Sequence, residues 1–223
     1  MNKLTKLQRE LTKAKRELEI LTWGLSKTNE AIKVLYKDLA QKNKDIQQAK
    51  EKLALLATQD SLTGLLNRRS FDEKIVKHIN SIRHSNKRTA LLFLDLDNLK
   101  KINDKYGHQV GDSLLRKISK RLKRVVKQKD ICARYGGDEF AVLLVDILGT
   151  QETKQITERI IQTIRKPFNI DGNNIKTSAS IGIALSTPEV SNYKLLYSMA
   201  DAAMYKAKQN GKDRYQLYQD FES

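Results

Sequence analysis

The sequence predicts an α+β globular domain that follows a long, parallel coiled-coil helix. Apolar residues repeat at alternating spacings of three and four through the first quarter of the chain, and helical and strand-like segments then alternate to the C-terminus. Neighbouring strand-like segments are joined by tight turns, which favours a largely antiparallel sheet. We therefore divide the chain into a stalk, residues 1–57, and a globular domain, residues 58–223.

The stalk is predicted from a heptad repeat that runs from Leu4 to Leu56. Each heptad has two seam positions. In the series that starts at Leu4 every residue is Leu or Ile, and in the series that starts at Leu7 only Thr28 and Lys42 are not apolar. Eight such heptads predict a left-handed coiled coil about 80 Å long, at ~1.5 Å per residue. The charges beside the seam are arranged as in a parallel pair. A single amphipathic helix folded onto its own domain is the weaker alternative, because so narrow a seam would cover little core.

The globular domain begins at the segment TQDSLTGLLNRR, residues 58–69, where Gly64 interrupts the repeat. We expect Asp60 to pair with Arg68 in this hinge. Beyond the hinge we predict helices at 68–84, 98–105, 110–127, 151–166 and 193–209, hairpins at 130–146 and 168–186, a strand at 89–96 and a last strand near 214–218.

Composition limits the functional class. The net charge of +16 attracts polyanions or phosphorylated small molecules. The basic residues are spread along helices such as RKISKRLKRVVKQK, without a DNA-binding motif, so we expect a solvated face and no nucleic-acid partner. The only cysteine, Cys132, cannot form a disulfide within the chain. No signal peptide and no run of ~18 apolar residues is found, so we expect no membrane span and a cytoplasmic location.

Acidic residues occupy two places where neither a strand nor a turn requires a charged side chain. Asp95 and Asp97 end a strand that begins as a continuous apolar run, and Asp138 and Glu139 follow two glycines at the tip of a hairpin. We expect Asp97 to cap the next helix. If the hairpin lies beside the strand, the other three carboxylates converge without matching basic residues, and oxygen ligands of this kind favour Mg²⁺ or Mn²⁺.

The glycines Gly136 and Gly137 fit a turn with positive φ whose backbone a bulky ligand can approach. A hairpin without further function would explain these glycines but not the acids that follow them. From these residues alone, both interpretations stay open.

Four separated motifs resemble one known family. RYGGDEF at 134–140, FLDLDNLKKINDKYGHQVGD upstream of it, DSLTGLLNRR at the domain entrance and MADAAMYKAKQNGKDRY near the C-terminus are similar to the GGDEF domain of diguanylate cyclases. The resemblance covers about residues 58–219 and omits the stalk. It implies a palm-like fold, as in nucleotide cyclases, and an enzyme that condenses two GTP molecules into cyclic di-GMP and two pyrophosphates.

The resemblance implies a role for each matching residue. Two Mg²⁺ (or Mn²⁺) ions per half-site would be held by Asp95, Asp138 and the backbone carbonyl of Leu96. The catalytic residues would be Asp138, which accepts the 3′-hydroxyl proton, with Glu139 and Lys100. Guanine would be bound by Asn103 and Asp112 with support from His108, for which a purely structural role stays open. The phosphates would be bound by Lys100, the amides of Asn98 and Leu99, Lys208 and Lys212.

A product-binding inhibitory site of the family is altered here. Its Arg-x-x-Asp pattern corresponds to Lys127 and Asp130, and a lysine lacks the forked guanidinium contacts of arginine. We therefore expect weak inhibition, or none, through this site.

Catalysis by such a domain requires two copies, so the resemblance implies a homodimer, which the coiled coil would hold together. A regulatory protein could bind the stalk, where Ile20 and Trp23 lie off the seam, although scattered exposed apolar residues are also common. The alternative function is a catalytically silent module that binds GTP or cyclic di-GMP.

Overall fold

The computed structural model describes residues 3–82, 88–186 and 192–218, and it divides into two compact units, Met1–Ala54 and Leu55–Ser223. Helix α1, Lys3–Thr58, provides the whole of the first unit. Its seam is uncovered within one chain, since Leu18 is 62% exposed and Leu25 64%. The long helix fits the predicted stalk. None of the helices in the described residues is both long enough and apolar enough to span a membrane.

The second unit has the predicted α+β composition. Its elements are α2 (Arg68–Ile82), β1 (Arg88–Asp97), α3 (Leu99–Tyr106), α4 (His108–Val125), β2 (Ile131–Gly136), β3 (Glu139–Ile147), α5 (Thr150–Arg165), β4 (Phe168–Ile170), β5 (Asn173–Ile175), β6 (Ser178–Leu185), α6 (Tyr193–Gln209) and β7 (Tyr215–Leu217). Residues 83 and 84 of the first predicted helix lie outside the described residues.

The main sheet has five strands in the order β2-β3-β1-β6-β7. All neighbouring strands are antiparallel except β6 and β7, which confirms the largely antiparallel prediction. The predicted hairpin at 168–186 is wrong. Strands β4 and β5 form a separate two-stranded sheet, whereas β6 pairs with β1. The apolar run of β6 explains this, because pairing beside β1 buries almost all of it.

Strand β1 has a continuous apolar run, residues 90–94, and both of its faces are covered. Leu92 and Leu94 belong to a core cluster with residues of α4 and α5, whereas Leu91 and Phe93 belong to a second cluster with residues of α2 and α6. Helix α6 comes especially close at Gly182 of β6, where a β-carbon would collide with the helix backbone. The sheet therefore holds the C-terminal end of β1 in a fixed position.

Candidate active site

The acidic hairpin lies beside β1, which fulfils the condition under which its carboxylates converge with Asp95. In the antiparallel pairing of β1 with β3, Asp95 is the partner of Glu139, the first residue after the hairpin turn. The Leu96 amide donates to the Asp138 carbonyl oxygen at 3.2 Å, which joins the strand end to the turn. Register and turn together bring the three acidic residues to one end of the sheet.

The electrostatics of these carboxylates reflect burial and mutual repulsion. Burial raises the pKa of Asp95, and the Asp138 charge raises it further, against the opposing effect of Lys208. The pKa of Glu139 is also raised, first by burial and then by the charges of Asp95 and Asp138. Neutralising part of this negative charge is therefore favourable.

The expectation that these acids converge without a matching basic residue is wrong. The Lys208 Nζ atom lies 2.7 Å from the Asp95 Oδ2 atom, and the Asp95 side chain is only 13% exposed. A half-buried carboxylate is stabilised by a nearby cation, and α6 supplies it. Nor do the described residues contain a group of three or more His, Cys, Asp or Glu side chains placed to hold a metal. The acidic residues at the strand end therefore do not form a metal site from side chains alone within the described residues.

The glycine turn is held by an arginine that the sequence reasoning missed. Of the two glycines, Gly137 uses the positive φ that both permit, with φ 44°, whereas Gly136 does not. The Arg134 Nε and Nη2 atoms donate to the Gly137 carbonyl oxygen at 3.0 and 2.8 Å. The Nη1 atom of the same guanidinium donates to both carboxylate oxygens of Asp60, at 3.3 and 3.2 Å. Arg134 therefore connects the domain entrance to the residue before Asp138.

The expected pairing of Asp60 with Arg68 is accordingly wrong. Besides Arg134, the Asp60 Oδ1 atom accepts hydrogen bonds from the Thr63 amide and hydroxyl. Arg68 instead lies 3.9 Å from Asp72 and over the ring of Tyr135. Helical spacing explains this choice, because Arg68 and Asp72 are one turn apart on α2.

The start of α3 follows the acidic strand end and has no side-chain cap in the described residues. Asn98 has a left-handed backbone, with φ 64°, and α3 begins at Leu99. The side chain of Asn98 does not cap this helix, so the first amides remain available to an anion. Lys100 is exposed in the first turn. These three residues lie directly after the strand end that carries Asp95.

Asn103 and the start of α4 form a second part of the candidate site. The Asn103 Oδ1 atom is buried and has no hydrogen-bond partner in the described residues. It abuts Gly111, where any β-carbon would displace it. Asp112 is partly exposed on the same helix, and His108, expected in a loop, is the exposed first residue of α4. Gly111 thus makes room for the side-chain amide of Asn103, whose Oδ1 atom has no hydrogen-bond partner in the described residues.

The role that we expect for Asp97 is wrong. Its carboxylate does not cap α3; it accepts hydrogen bonds from the hydroxyls of Ser178 and Ser180 and from the amide of Asp213. Asp97 points to the β6 side of β1, where its side chain is almost wholly buried and these donors replace water. Lys212 is exposed in the loop beside Asp213.

The residues of the altered inhibitory site are engaged with the protein itself. The Asp130 carboxylate accepts hydrogen bonds from the amides of Lys127 and Val145. The Lys127 Nζ atom lies 2.7 Å from Glu152, which also accepts a hydrogen bond from the Leu148 amide. The hydrogen bond to Glu152 raises the pKa of Lys127. Neither predicted ligand group is free.

Comparison with known proteins agrees with the motifs. The family model "Diguanylate cyclase, GGDEF domain" matches residues 57–214. The chain therefore belongs to the GGDEF diguanylate cyclase family.

The relatives differ in their stated activities. The chain is 40% identical to the signaling protein YkoW of Bacillus subtilis over 85% of its length, and 37% identical to the cyclic di-GMP phosphodiesterase NbdA of Pseudomonas aeruginosa over 74%. It is 34% identical to the diguanylate cyclase TpbB of P. aeruginosa over 95% of its length and 49% of that protein. The chain spans only 23% of YkoW and 21% of NbdA, so these relatives are much longer.

Two solved structures resemble this chain, and one of them contains a coiled coil together with a GGDEF domain. The coiled coil and GGDEF domain of DgcB from Caulobacter crescentus, solved with cyclic di-GMP, matches 82% of this chain and 98% of that one, with a TM-score of 0.72 and 27% identity. The diguanylate cyclase SiaD of P. aeruginosa, solved with its activator SiaC, matches 96% of this chain and 84% of that one, with a TM-score of 0.68 and 26% identity.

Proposed function

We propose that this protein condenses two GTP molecules into cyclic di-GMP and two pyrophosphates, and that it does so as a homodimer. The observation that carries the proposal is the pairing of Asp95 with Glu139, which places Asp138 beside the strand end. Burial and charge repulsion keep the pKa of Asp95 raised even with Lys208 beside it, so further cations would stabilise the acidic group, and the magnesium complex of a nucleoside triphosphate would supply them.

Guanine recognition would rest on α3 and α4. The Asn103 Oδ1 atom is buried and unsatisfied in the described residues, and it could accept a hydrogen bond from the base. The Asp112 carboxylate accepts hydrogen bonds only, which suits the donor edge of guanine. His108 would support the pocket from the first residue of α4.

Phosphate binding would use the start of α3 and the end of α6. The amides of Asn98 and Leu99 lie at the positive end of a helix dipole, and Lys100 adds a charge there. Lys208 and Lys212 would approach from α6 and the following loop. For Lys208 this requires exchanging its contact with Asp95 for a phosphate.

The carboxylates fit Mg²⁺ or Mn²⁺ in their chemistry, since they offer hard oxygen ligands and their mutual repulsion is only partly offset by Lys208. Asp95, Asp138 and the carbonyl of Leu96 would hold the ions, two per half-site. Bound there, such ions would offset phosphate charge and lower the pKa of the attacking hydroxyl. Movement of the Lys208 amine away from Asp95 would accompany their binding.

The reaction would proceed between two copies of the domain. The 3′-oxygen of one GTP attacks the α-phosphorus of the other, a new ester bond forms, and the bond to pyrophosphate breaks. Asp138 takes the hydroxyl proton, while Glu139 assists beside it and Lys100 offsets negative charge that develops on the phosphates. The reciprocal step closes the ring and releases the second pyrophosphate.

The stalk would hold the two domains together and receive regulation. A parallel coiled coil raises the local concentration of the partner domain to about the millimolar range. A structurally similar cyclase, SiaD, was solved with an activator protein. We therefore propose that a regulatory protein binds the stalk of this chain.

A second candidate function is a silent module that binds GTP or cyclic di-GMP without turnover. One observation favours it: a relative with 37% identity is named a cyclic di-GMP phosphodiesterase. The intact GGDEF residues, Gly136 through Phe140, favour the cyclase instead.

The deciding experiment incubates the full-length chain with GTP and Mg²⁺ and resolves the nucleotides by chromatography. We expect cyclic di-GMP from the wild type, a loss of about 10³-fold or more in Asp138→Asn, and unchanged turnover in Asp171→Asn, a matched control on the β4–β5 turn. If the wild type binds a fluorescent GTP analogue but neither it nor the variants turn GTP over, the silent module is favoured.

A further inference from the structure

The two aspartates at the end of β1 have different surroundings, although one residue alone separates them. Asp95 lies beside the acidic hairpin tip and Lys208, whereas the Asp97 side chain is buried and hydrogen-bonded within the protein. The described part of the chain places no basic side chain in an ion pair with Asp97. A buried carboxylate that has only neutral partners depends on hydrogen bonds for its stabilisation, and Asp97 accepts three of them.

These three hydrogen bonds join two separate segments. The Ser178 and Ser180 hydroxyls, both on β6, donate to Asp97 at 2.5 and 2.8 Å. The third donor is the backbone amide of Asp213, 3.1 Å from the Asp97 Oδ2 atom, in the loop after α6. Asp97 therefore ties this loop to the strand that carries Asp95.

The loop after α6 has an uncommon backbone. Gly211, Lys212 and Asp213 have φ values of 104°, 62° and 50°. Two consecutive non-glycine residues in the left-handed region cost about 1 kcal/mol or more each, and such a conformation persists only when its surroundings hold it. Here Asp97 accepts from the amide of Asp213, and the Arg165 guanidinium donates to the Asp213 carboxylate and carbonyl.

We infer that Asp97 is a positioning residue: by holding Asp213, it fixes the backbone of Lys212 and so aims the lysine at the nucleotide phosphates. The inference rests on the proposed phosphate role of Lys212. Asp97 itself touches no substrate in this scheme. Its substitution should therefore weaken GTP binding through Lys212, rather than alter the carboxylate chemistry at Asp95 and Asp138.

A double-mutant cycle separates this role from a merely structural one. Asp97→Asn should raise the KM for GTP about 5- to 10-fold and change kcat less than about 2-fold. In a Lys212→Ala background, the same substitution should leave KM unchanged within about 2-fold. An effect transmitted through the metal ligands would lower kcat, alter the Mg²⁺ dependence and persist in that background, and this result would overturn the inference. Asp171→Asn is the matched control.

Hydrogen exchange tests the same inference without activity. In Asp97→Asn, amides 211–214 should exchange at least about 10-fold faster, because the bond from the Asp213 amide to a charged acceptor is lost, while β1 and β6 remain protected. Unchanged exchange in this loop would overturn the inference even if the protein proved catalytically silent. If Asp97→Asn does not fold, Ser178→Ala takes its place in both experiments. It removes one donor that orients the Asp97 carboxylate but keeps the bond to the Asp213 amide, so smaller effects in the same direction are expected.

An unchanged KM in Lys212→Ala alone would instead contradict the phosphate role in the proposed function. The exchange experiment would then decide separately whether Asp97 holds the loop.

Discussion

Within one chain, the stalk leaves its apolar residues exposed, whereas the globular domain buries its own. Leu18 and Leu25 of the stalk are 62% and 64% exposed, whereas Leu92 and Phe93 of the domain are fully buried within one chain. The domain therefore has its own core, but the apolar stripe of the stalk can be covered only by another surface. A stable fold and a competent assembly should thus depend on different residues of this chain.

The largest effect is expected from the domain core. Phe93→Ala should lower the free energy of unfolding of the domain by about 3–5 kcal/mol, because a large cavity opens beside Tyr135 and Tyr197. The association of the stalks should persist. Thermal unfolding and analytical ultracentrifugation measure the two properties, and Phe93→Leu serves as the milder control. Simultaneous loss of dimer and fold would show that the two units are not independent.

The next effect is expected from the seam of the stalk. Leu18→Lys combined with Leu25→Lys should abolish the dimer and lower cyclase activity at nanomolar protein by about 100-fold, because the effective concentration of the second domain is lost. The melting temperature of the domain should not change. Thr12→Lys with Ser26→Lys adds the same charge away from the seam and should leave activity unaltered. Full activity of the seam variant would make the stalk dispensable.

A smaller effect is expected at the domain entrance. Asp60→Asn should cost about 1–2 kcal/mol of stability at neutral pH, because a partly buried, charge-assisted contact with Arg134 is weakened. Burial acts to raise the pKa of Asp60, but the Thr63 hydrogen bonds and the Arg134 charge outweigh it, and the pKa is lowered.

The pH dependence of that effect follows from the lowered pKa. The stability contributed by the Asp60 charge is fully present above pH 3.8, the pKa of Asp60 in the unfolded chain. It is lost as the pH falls through the lower pKa of Asp60 in the folded protein. Denaturant unfolding of the wild type and of Asp60→Asn should therefore converge in acid. A stability difference that stays constant down to the folded pKa would disprove the role of the charge.

The smallest effect is expected at the altered inhibitory site. Lys127→Ala should not change inhibition by cyclic di-GMP, because Asp130 is engaged by backbone amides and Lys127 by Glu152. Initial rates at increasing product concentration measure this inhibition. Strong inhibition of the wild type that Lys127→Ala escapes would contradict the prediction.

Local patterns in the sequence predict the long helix and the α+β class, whereas the position of the acidic hairpin beside β1 is implied only by the family resemblance. The heptad spacing and the apolar run in β1 are properties of consecutive residues, so they can be read directly. The hydrogen-bond partners of Asp60 and Asp97 could not be predicted from the sequence, because the tertiary fold brings Arg134 and Asp213 to them. The pairing of β6 differs from the prediction for the same reason: its partner, β1, lies about 80 to 95 residues earlier in the chain.

The central claim is that two GTP molecules become one cyclic product at the Asp95 and Asp138 carboxylates. Phosphorus NMR of the full-length chain with GTP and Mg²⁺ follows the phosphodiester and the pyrophosphate together. The account predicts two pyrophosphates for each cyclic di-GMP, and neither signal in Asp138→Asn. Pyrophosphate release without cyclic di-GMP, or equal product formation by the variant, would contradict it.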